Sequence, residues 1–497
     1  MCRYCFDNRL GPDGAERMHP AISSDMAAGG GTTPPSPSPA PGMPQGVGTP
    51  GRRTLIRGGY VLSMDDAVGN FAPGDVLLNG TKIEAVGAAI AAPADAAIMD
   101  AAGHVVMPGF IDTHHHQFET ALRSVLADAI LINDGRPESR LNYYETMLQT
   151  FSLHYRPQDV HISELFGSLS QIDAGVTTVM DVSQIHHSPE HSDAAIDALR
   201  QAGRRAVFGY FEGWGEHSRY PDDAARLRRQ YFAGDDGLLT MVMGGEIYLP
   251  GHEKAWAIGR ELGLPIALHV VGTFGMQPVF DQLGAAGQFG PDNIFIHMTG
   301  MSADGWRYTA DAGAHISLSV PIEMQMRHGT PPIQQALDLG LQPSLSTDVE
   351  CTLTADMFTQ MRSALTLQRL FANEKALRGE EYPKLLSALD AIRFATVEGA
   401  KGLKLWDRTG SLSPGKEADI ILLDAGAINV APLNHVAGAV VTLMERSNVS
   451  TVLTAGRIRK WRGQLLGHDI AKLRAELEAS RDHLFQAAGI AQDVFRP

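Results

Sequence analysis

Eight short apolar runs, most of them followed by a helical pattern, occupy the middle of the chain. They are "VVMPGFIDTH", "GVTTVMDVS", "RAVFGYFEG", "LTMVMGGE", "LPIALHV", "NIFIHM", "AHISLSV" and "QPSLSTD". The segments between them include "SPEHSDAAIDALRQAG", "GHEKAWAIGRELG", "TPPIQQALDLG" and "TADMFTQMRSALTLQRLFANE". Strands that alternate with helices must pair in parallel, and eight of them predict an α/β fold, a (β/α)8 barrel over residues 105–405.

The flanks read differently. "TLIRGGYVLSMDDAVGNFAPGDVLLNGTKIEAVG" near the start and "GSLSPGKEADIILLD" and "VSTVLTAGRIRKWRG" near the end share short β-type runs separated by Gly, Asn and Asp turns. Residues 52–104 and 406–467 are therefore expected to pair into one small composite β-sandwich, with 468–497 as a C-terminal helix. Residues 1–51 read as a flexible extension and linker, because "MAAGGGTTPPSPSPAPGMPQGVGTPG" has no apolar periodicity. Cys2 and Cys5 form a lone CxxC without a second ligand pair, so no zinc site is expected there.

Composition narrows the function classes. A formal net charge of −15 with no basic run argues against nucleic-acid binding. Three cysteines cannot build a disulfide framework in 497 residues, which points to a reducing compartment. No apolar run approaches the roughly 20 residues that span a bilayer, and the first residues lack a signal-peptide core. The expectation is a cytoplasmic protein acting on a small molecule.

In such barrels chemistry sits at the C-terminal strand ends. The first strand ends at His114, His115 and His116, the fifth at His269, the sixth at His297 and the eighth at Asp348. Side chains alternate along a strand, so His114 and His116 share a face and His115 points away, into a structural role. A His-x-His pair joined by a further His and an Asp is a ligand set for a divalent transition metal. Such a set leaves a position for water, which the metal acidifies.

With these pieces in view, the chain resembles the amidohydrolase superfamily, and within it the branch of cytosine, guanine and adenosylhomocysteine deaminases and triazine hydrolases. The resemblance is carried by "MPGFIDTHHH", "GVTTVMD", His269, His297, "STD" at Asp348 and "ATVEGAKGLKLWDRTGSLSPGKEADIILLD", and runs from about residue 54 to 467. It implies that His114, His116, His269 and Asp348 hold one ion, Zn2+ first, with Fe2+ and Mn2+ also suited. It implies that Asp348 accepts a proton from the attacking water, and that His297 polarises the substrate or holds that water. It also implies a homo-oligomer, a dimer or larger.

One departure redirects the chemistry. The branch carries a Glu three residues after the strand-five histidine, and here "LHVVGT" places Gly272 there. Ring deamination needs a group that protonates both ring and leaving amine, which glycine cannot do. The expected reaction is therefore hydrolysis of a non-peptide carbon–nitrogen bond (amide, lactam, carbamate or urea) in a small, cyclic or apolar molecule. Deamination or dechlorination of a nitrogen heterocycle is the alternative, and a non-catalytic scaffold the remote one. Glu246 and Glu350 are candidate replacements for the missing shuttle, and Glu246 with His297 could complete a second metal site. Cys351 reads as buried filler.

Other clusters are candidates for the substrate side. "SQIHHSPEHSD" holds His186, His187 and His191, although Ser188 and Pro189 read as a helix start. "FEGWGEHSRY" offers Glu212, Trp214, Glu216 and His217, and "SVPIEMQMRHGTPP" offers Glu323, Met324, Met326, Arg327 and His328.

Overall fold

The run read as a single first strand is two strands in two different sheets. His104–Pro108 belongs to a mixed sheet, and β1 (Phe110–His115) opens the barrel. Gly109 makes the switch: a Cβ there would collide with the Thr177 side chain, so only glycine lets the chain pass. The computed structural model describes residues 42–234 and 237–495. Cys2, Cys5 and most of the expected extension lie outside the described residues.

After β1 come β2 (Val176–Ser183), β3 (Arg205–Tyr210), β4 (Leu239–Gly244), β5 (Ile266–Val271), β6 (Asn293–Thr299), β7 (His315–Leu318) and β8 (Ser344–Leu345). They pair in sequence order, all parallel. The β8 strand spans only two residues, so the ring closes beyond it. There the Asp348 N–H donates to the His114 carbonyl at 3.0 Å, and the His116 N–H donates to the Asp348 carbonyl at 2.9 Å. The barrel is sealed by the backbone of the residues expected to carry its chemistry.

Apolar side chains fill the interior, among them Ile111, Val207, Val242, Ala267, Ile294 and Ile296, with Ala400 and Leu403 beneath. The outer layer is helical. Pro157–Asp173 starts on a proline at its first position, and Asp159 folds back to the Arg156 N–H. Met357–Leu377 is capped by Asp356, which accepts from the Thr359 N–H at 2.8 Å.

The two ends of the chain meet in one nine-stranded mixed sheet. At its centre Ile420–Asp424 pairs antiparallel with His104–Pro108, and Arg53–Val61 follows on the other side. Ile56, Val76, Leu78, Val106, Ile420 and Leu453 form its core. A fully buried ion pair, Arg205 Nε to Asp419 Oδ2 at 2.9 Å, ties β3 to this sheet. The C-terminal helix is Ile470–Ala487. No described helix is long and apolar enough to cross a membrane.

Candidate metal centre and cavity

His114 and His116 leave the end of β1 on the same side, as the period of two requires. Their Nε2 atoms lie 2.9 Å apart, and His269 Nε2 from β5 lies 3.1 Å from that of His114. Asp348 Oδ1 stands 3.6 Å from both His114 Nε2 and His116 Nε2. Donor atoms that share one ion at about 2.1 Å are themselves roughly 3.0–3.5 Å apart, and the nitrogens of His114, His116 and His269 lie close enough together to hold one.

Their protonation fits as well. Burial, then the neighbouring histidines, push His114 and His116 well below 6.5, so both rings present lone pairs. Burial alone would depress His269 too, but the charge and hydrogen bond of Glu246 more than offset it. Burial pushes Asp348 up to about 7, and the charge of His269 offsets only part of that.

His297 completes a second cluster with His114 and Asp348. Its Nε2 lies 3.5 Å from Asp348 Oδ2, and its Nδ1 lies 3.2 Å from Glu323 Oε1. Both His297 and Asp348 have left-handed backbones, with φ of 72° and 65°. That conformation costs a non-glycine residue on the order of 1 kcal/mol or more and aims both side chains at the same space. His115 points away, its Nδ1 2.8 Å from the Asp348 carbonyl.

A small cavity, about 50 Å³ to a water-sized probe, opens over His116, His269, His297 and Asp348. Its walls are mostly aromatic and apolar: Leu131, Tyr143, Tyr144 and Leu148 after β1, Tyr248 after β4, and Val271, Phe274 and Met276 at β5. Gln184, Met326 and His328 complete them with Val349. Asp348 is the only carboxylate among the described residues that line it. Tyr143 O–H donates to Glu119 at 2.6 Å behind the wall, and burial holds that carboxyl at about 8.

Several expected site residues are elsewhere. Glu246 sits behind His269, 2.6 Å from Nδ1, and belongs to neither group of described residues that could hold an ion. Glu350 is held in a fork by Arg123 at 2.8 Å and does not line the cavity. Arg327 is likewise spent, on Asp134 at 2.6 Å and Glu138 at 3.0 Å. Met324 is 45% exposed and faces solvent. Trp214 lies in a separate depression with His187 and His191. Those two rings bond the carbonyls of Ser152 and Tyr155 and so anchor the loop. Of that substrate group Met326 and His328 reach the cavity, while Glu323 stays behind His297.

Gly272 is more than a missing side chain. A Cβ there would stand 2.9 Å from the Gly300 carbonyl oxygen and 3.0 Å from its Cα. The ends of β5 and β6 approach too closely for any larger residue in this backbone. The aromatic walls after β4 and β5 went unread in the sequence, because a Tyr or Phe in a loop carries the same signal whether it packs or faces a ligand.

Comparison with known proteins places this geometry. The model of the amidohydrolase family matches residues 105–459. A 5-methylthioadenosine/S-adenosylhomocysteine deaminase from Pelotomaculum thermopropionicum is 26% identical over 447 residues, 85% of this chain and 97% of that protein. A 5'-deoxyadenosine deaminase from Methanosarcina mazei is 26% identical over 451 residues, 86% of this chain and 98% of its own. An adenosine deaminase from Xanthomonas campestris with bound zinc superposes with a TM-score of 0.74 at 22% identity, covering 87% of this chain and 98% of that one. An atrazine chlorohydrolase from Arthrobacter aurescens, complexed with zinc and atraton, gives 0.74 at 20% identity, covering 86% and 100%.

Proposed function

This chain belongs to the amidohydrolase family, and on that premise we propose that it hydrolyses a non-peptide carbon–nitrogen bond of a small, neutral, ring-bearing molecule. The ion would be held by His114, His116, His269 and Asp348. Zinc suits this imidazole and carboxylate set, as do iron and manganese, and the zinc in the two solved structures named above favours it. When bound, such an ion acidifies water and polarises the bond to be cleaved.

The protein's own part is proton handling. Asp348 takes the proton of the attacking water and returns it to the leaving nitrogen. Glu323 Oε1 already accepts from the Ser319 N–H at 2.8 Å, and the same oxygen faces His297 Nδ1. With an Nδ1–H donating to Glu323, His297 Nε2 is left as an acceptor beside Asp348. His297 therefore holds the water rather than a substrate carbonyl. The observation that carries the reading is the single carboxylate on the cavity wall, enough for amide-type hydrolysis and short of the second relay that ring deamination needs.

A second reading, deamination of a nitrogen heterocycle, draws on the two relatives named as deaminases. Product analysis decides between them. Zinc-loaded protein is incubated with neutral lactams, cyclic carbamates and cyclic ureas, and separately with amino-substituted heterocycles. Ring-opened products support the proposal: lactams that have gained one water, and carbamates and ureas that have gained one water and then lost CO2. Ammonia released from the second set alone replaces it with the deaminase reading.

A further inference from the structure

Gln184 follows directly on β2, is 2% exposed and lines the cavity. Its amide nitrogen is committed. Nε2 donates to Glu212 Oε1 at 2.7 Å and lies 3.1 Å from the Tyr248 hydroxyl oxygen. The Tyr248 O–H in turn donates to the same Glu212 oxygen at 2.8 Å. A carboxylate oxygen accepts from an amide N–H and repels an amide carbonyl, so this network selects one orientation of the Gln184 side chain. In that orientation Oε1 has no partner among the described residues, while the amide nitrogen is turned into the wall.

The cavity around that oxygen has a definite character. Phe274 meets Tyr144 edge-on, with ring centroids 5.2 Å apart, and meets Tyr248 at 5.3 Å, which makes a continuous aromatic wall. No Lys or Arg lines the cavity among the described residues. Away from the candidate metal ligands, a carboxylate or phosphate on the ligand would lie against apolar and aromatic walls with no Lys or Arg to pair with, at high cost. A flat, uncharged ring gains from the aromatic faces without that penalty.

We infer that Gln184 is the specificity-determining residue of this cavity: its carbonyl oxygen accepts an N–H or O–H from the edge of a planar, uncharged cyclic substrate, and Glu212 and Tyr248 position it to do so. The inference rests on the reading of the cavity as the substrate site. It narrows the substrates to ring compounds that keep a donor at that edge, such as lactams, cyclic carbamates and cyclic ureas with a free N–H. An isostere without the donor leaves a buried acceptor unpaired.

The test uses the full-length, zinc-loaded protein and two probes that differ only in the donor, 2-benzoxazolone and its N-methyl derivative, titrated by calorimetry. Wild-type protein is expected to bind the N–H probe about tenfold more tightly, the scale of one buried hydrogen bond lost. Gln184→Leu should bring the ratio close to one. Glu212→Gln, which offers the Gln184 amide a donor as well as an acceptor, should lower the ratio part of the way. Three outcomes overturn the inference: a wild-type ratio near one, no binding of either probe at millimolar concentration, or an undiminished ratio in a natively melting Gln184→Leu protein. Should that variant fail to fold, an undiminished ratio in Glu212→Gln overturns it equally. Product analysis on the same samples separates the two proposals. Discriminating binding without turnover keeps the role of Gln184 and removes the hydrolysis reading, whereas equal turnover of both probes does the reverse.

Discussion

Glu246 grips His269 from behind: its Oε1 lies 2.6 Å from Nδ1, and its Oε2 lies 3.2 Å from the backbone nitrogen of the same residue. A carboxylate on Nδ1 holds that nitrogen protonated and turns the Nε2 lone pair toward His114 and His116. Glu246 thus reaches the candidate metal cluster through the imidazole and does not line the cavity.

Removing that grip should weaken metal binding before it touches chemistry. Glu246→Gln is expected to lower zinc affinity about tenfold to a hundredfold, because the ring loses its charged partner. Competition with a chromophoric chelator reads this directly. With saturating zinc most of the activity should return, and a turnover loss that zinc cannot restore would instead make Glu246 a proton carrier.

Asp348→Asn should lower kcat by roughly a hundredfold or more, since the acid–base cycle has no substitute on the cavity wall. The measurement is steady-state turnover alongside metal content by elemental analysis. Full activity with full metal occupancy would remove Asp348 from the proton pathway.

Restoring a carboxylate at position 272 should not produce a deaminase. The Cβ would press on the Gly300 backbone at 2.9 Å, so Gly272→Ala alone should cost roughly 1–3 kcal/mol, the range for overpacking. Gly272→Glu should lower the melting temperature at least as much and release no ammonia from amino-heterocycles. Denaturant midpoints for the two variants provide the check.

The pair Arg205 and Asp419 is sealed from solvent at 2.9 Å. Asp419→Ala would leave the guanidinium buried and unpaired, and should cost about 3–5 kcal/mol. Equilibrium unfolding would show it, and a change under 1 kcal/mol on the same scale would mean that water reaches Arg205.

Acid stability has a separable source elsewhere in the fold. Asp173 Oδ1 meets Lys460 Nζ at 2.7 Å, and Oδ2 meets Arg446 Nε at 2.7 Å. Burial alone would raise this carboxyl, but Lys460 and Arg446 outweigh it and hold it below 3.8. A depressed carboxyl stabilises the fold above its unfolded value and loses that contribution as pH falls through the folded one. Burial also lowers Lys460, which reduces the net worth of the pair at neutral pH. Asp173→Asn should therefore be less stable than wild type at pH 7, with the gap closing below pH 3.8. Melting curves at several pH values test this, and a gap independent of pH would contradict it.

The parts legible in the sequence were those with a period. Alternation along β1 separates His114 and His116 from His115 before any coordinates, and the βα rhythm implies the barrel and so the shared face of His269, His297 and Asp348. What stayed hidden depends on contacts across the barrel mouth. Glu350 and Arg327 looked like pocket residues until Arg123, Asp134 and Glu138 claimed their charges. Gln184 and Phe274 carried no pattern, because their roles come from neighbours 28 positions away at Glu212 and on the loop after β4. The switch at Gly109 was masked by the apolar run on either side of it.

The closure of the barrel at Asp348 also has a kinetic meaning. Positions 114 and 348 meet only when the last strand docks on the first, a contact between residues far apart in the sequence. Pairings of that kind form late, after the loop entropy of all that lies between has been overcome. No partly assembled chain brings His114, His116, His269 and Asp348 together, so an ion that needs the whole set would find its site only after the ring has closed.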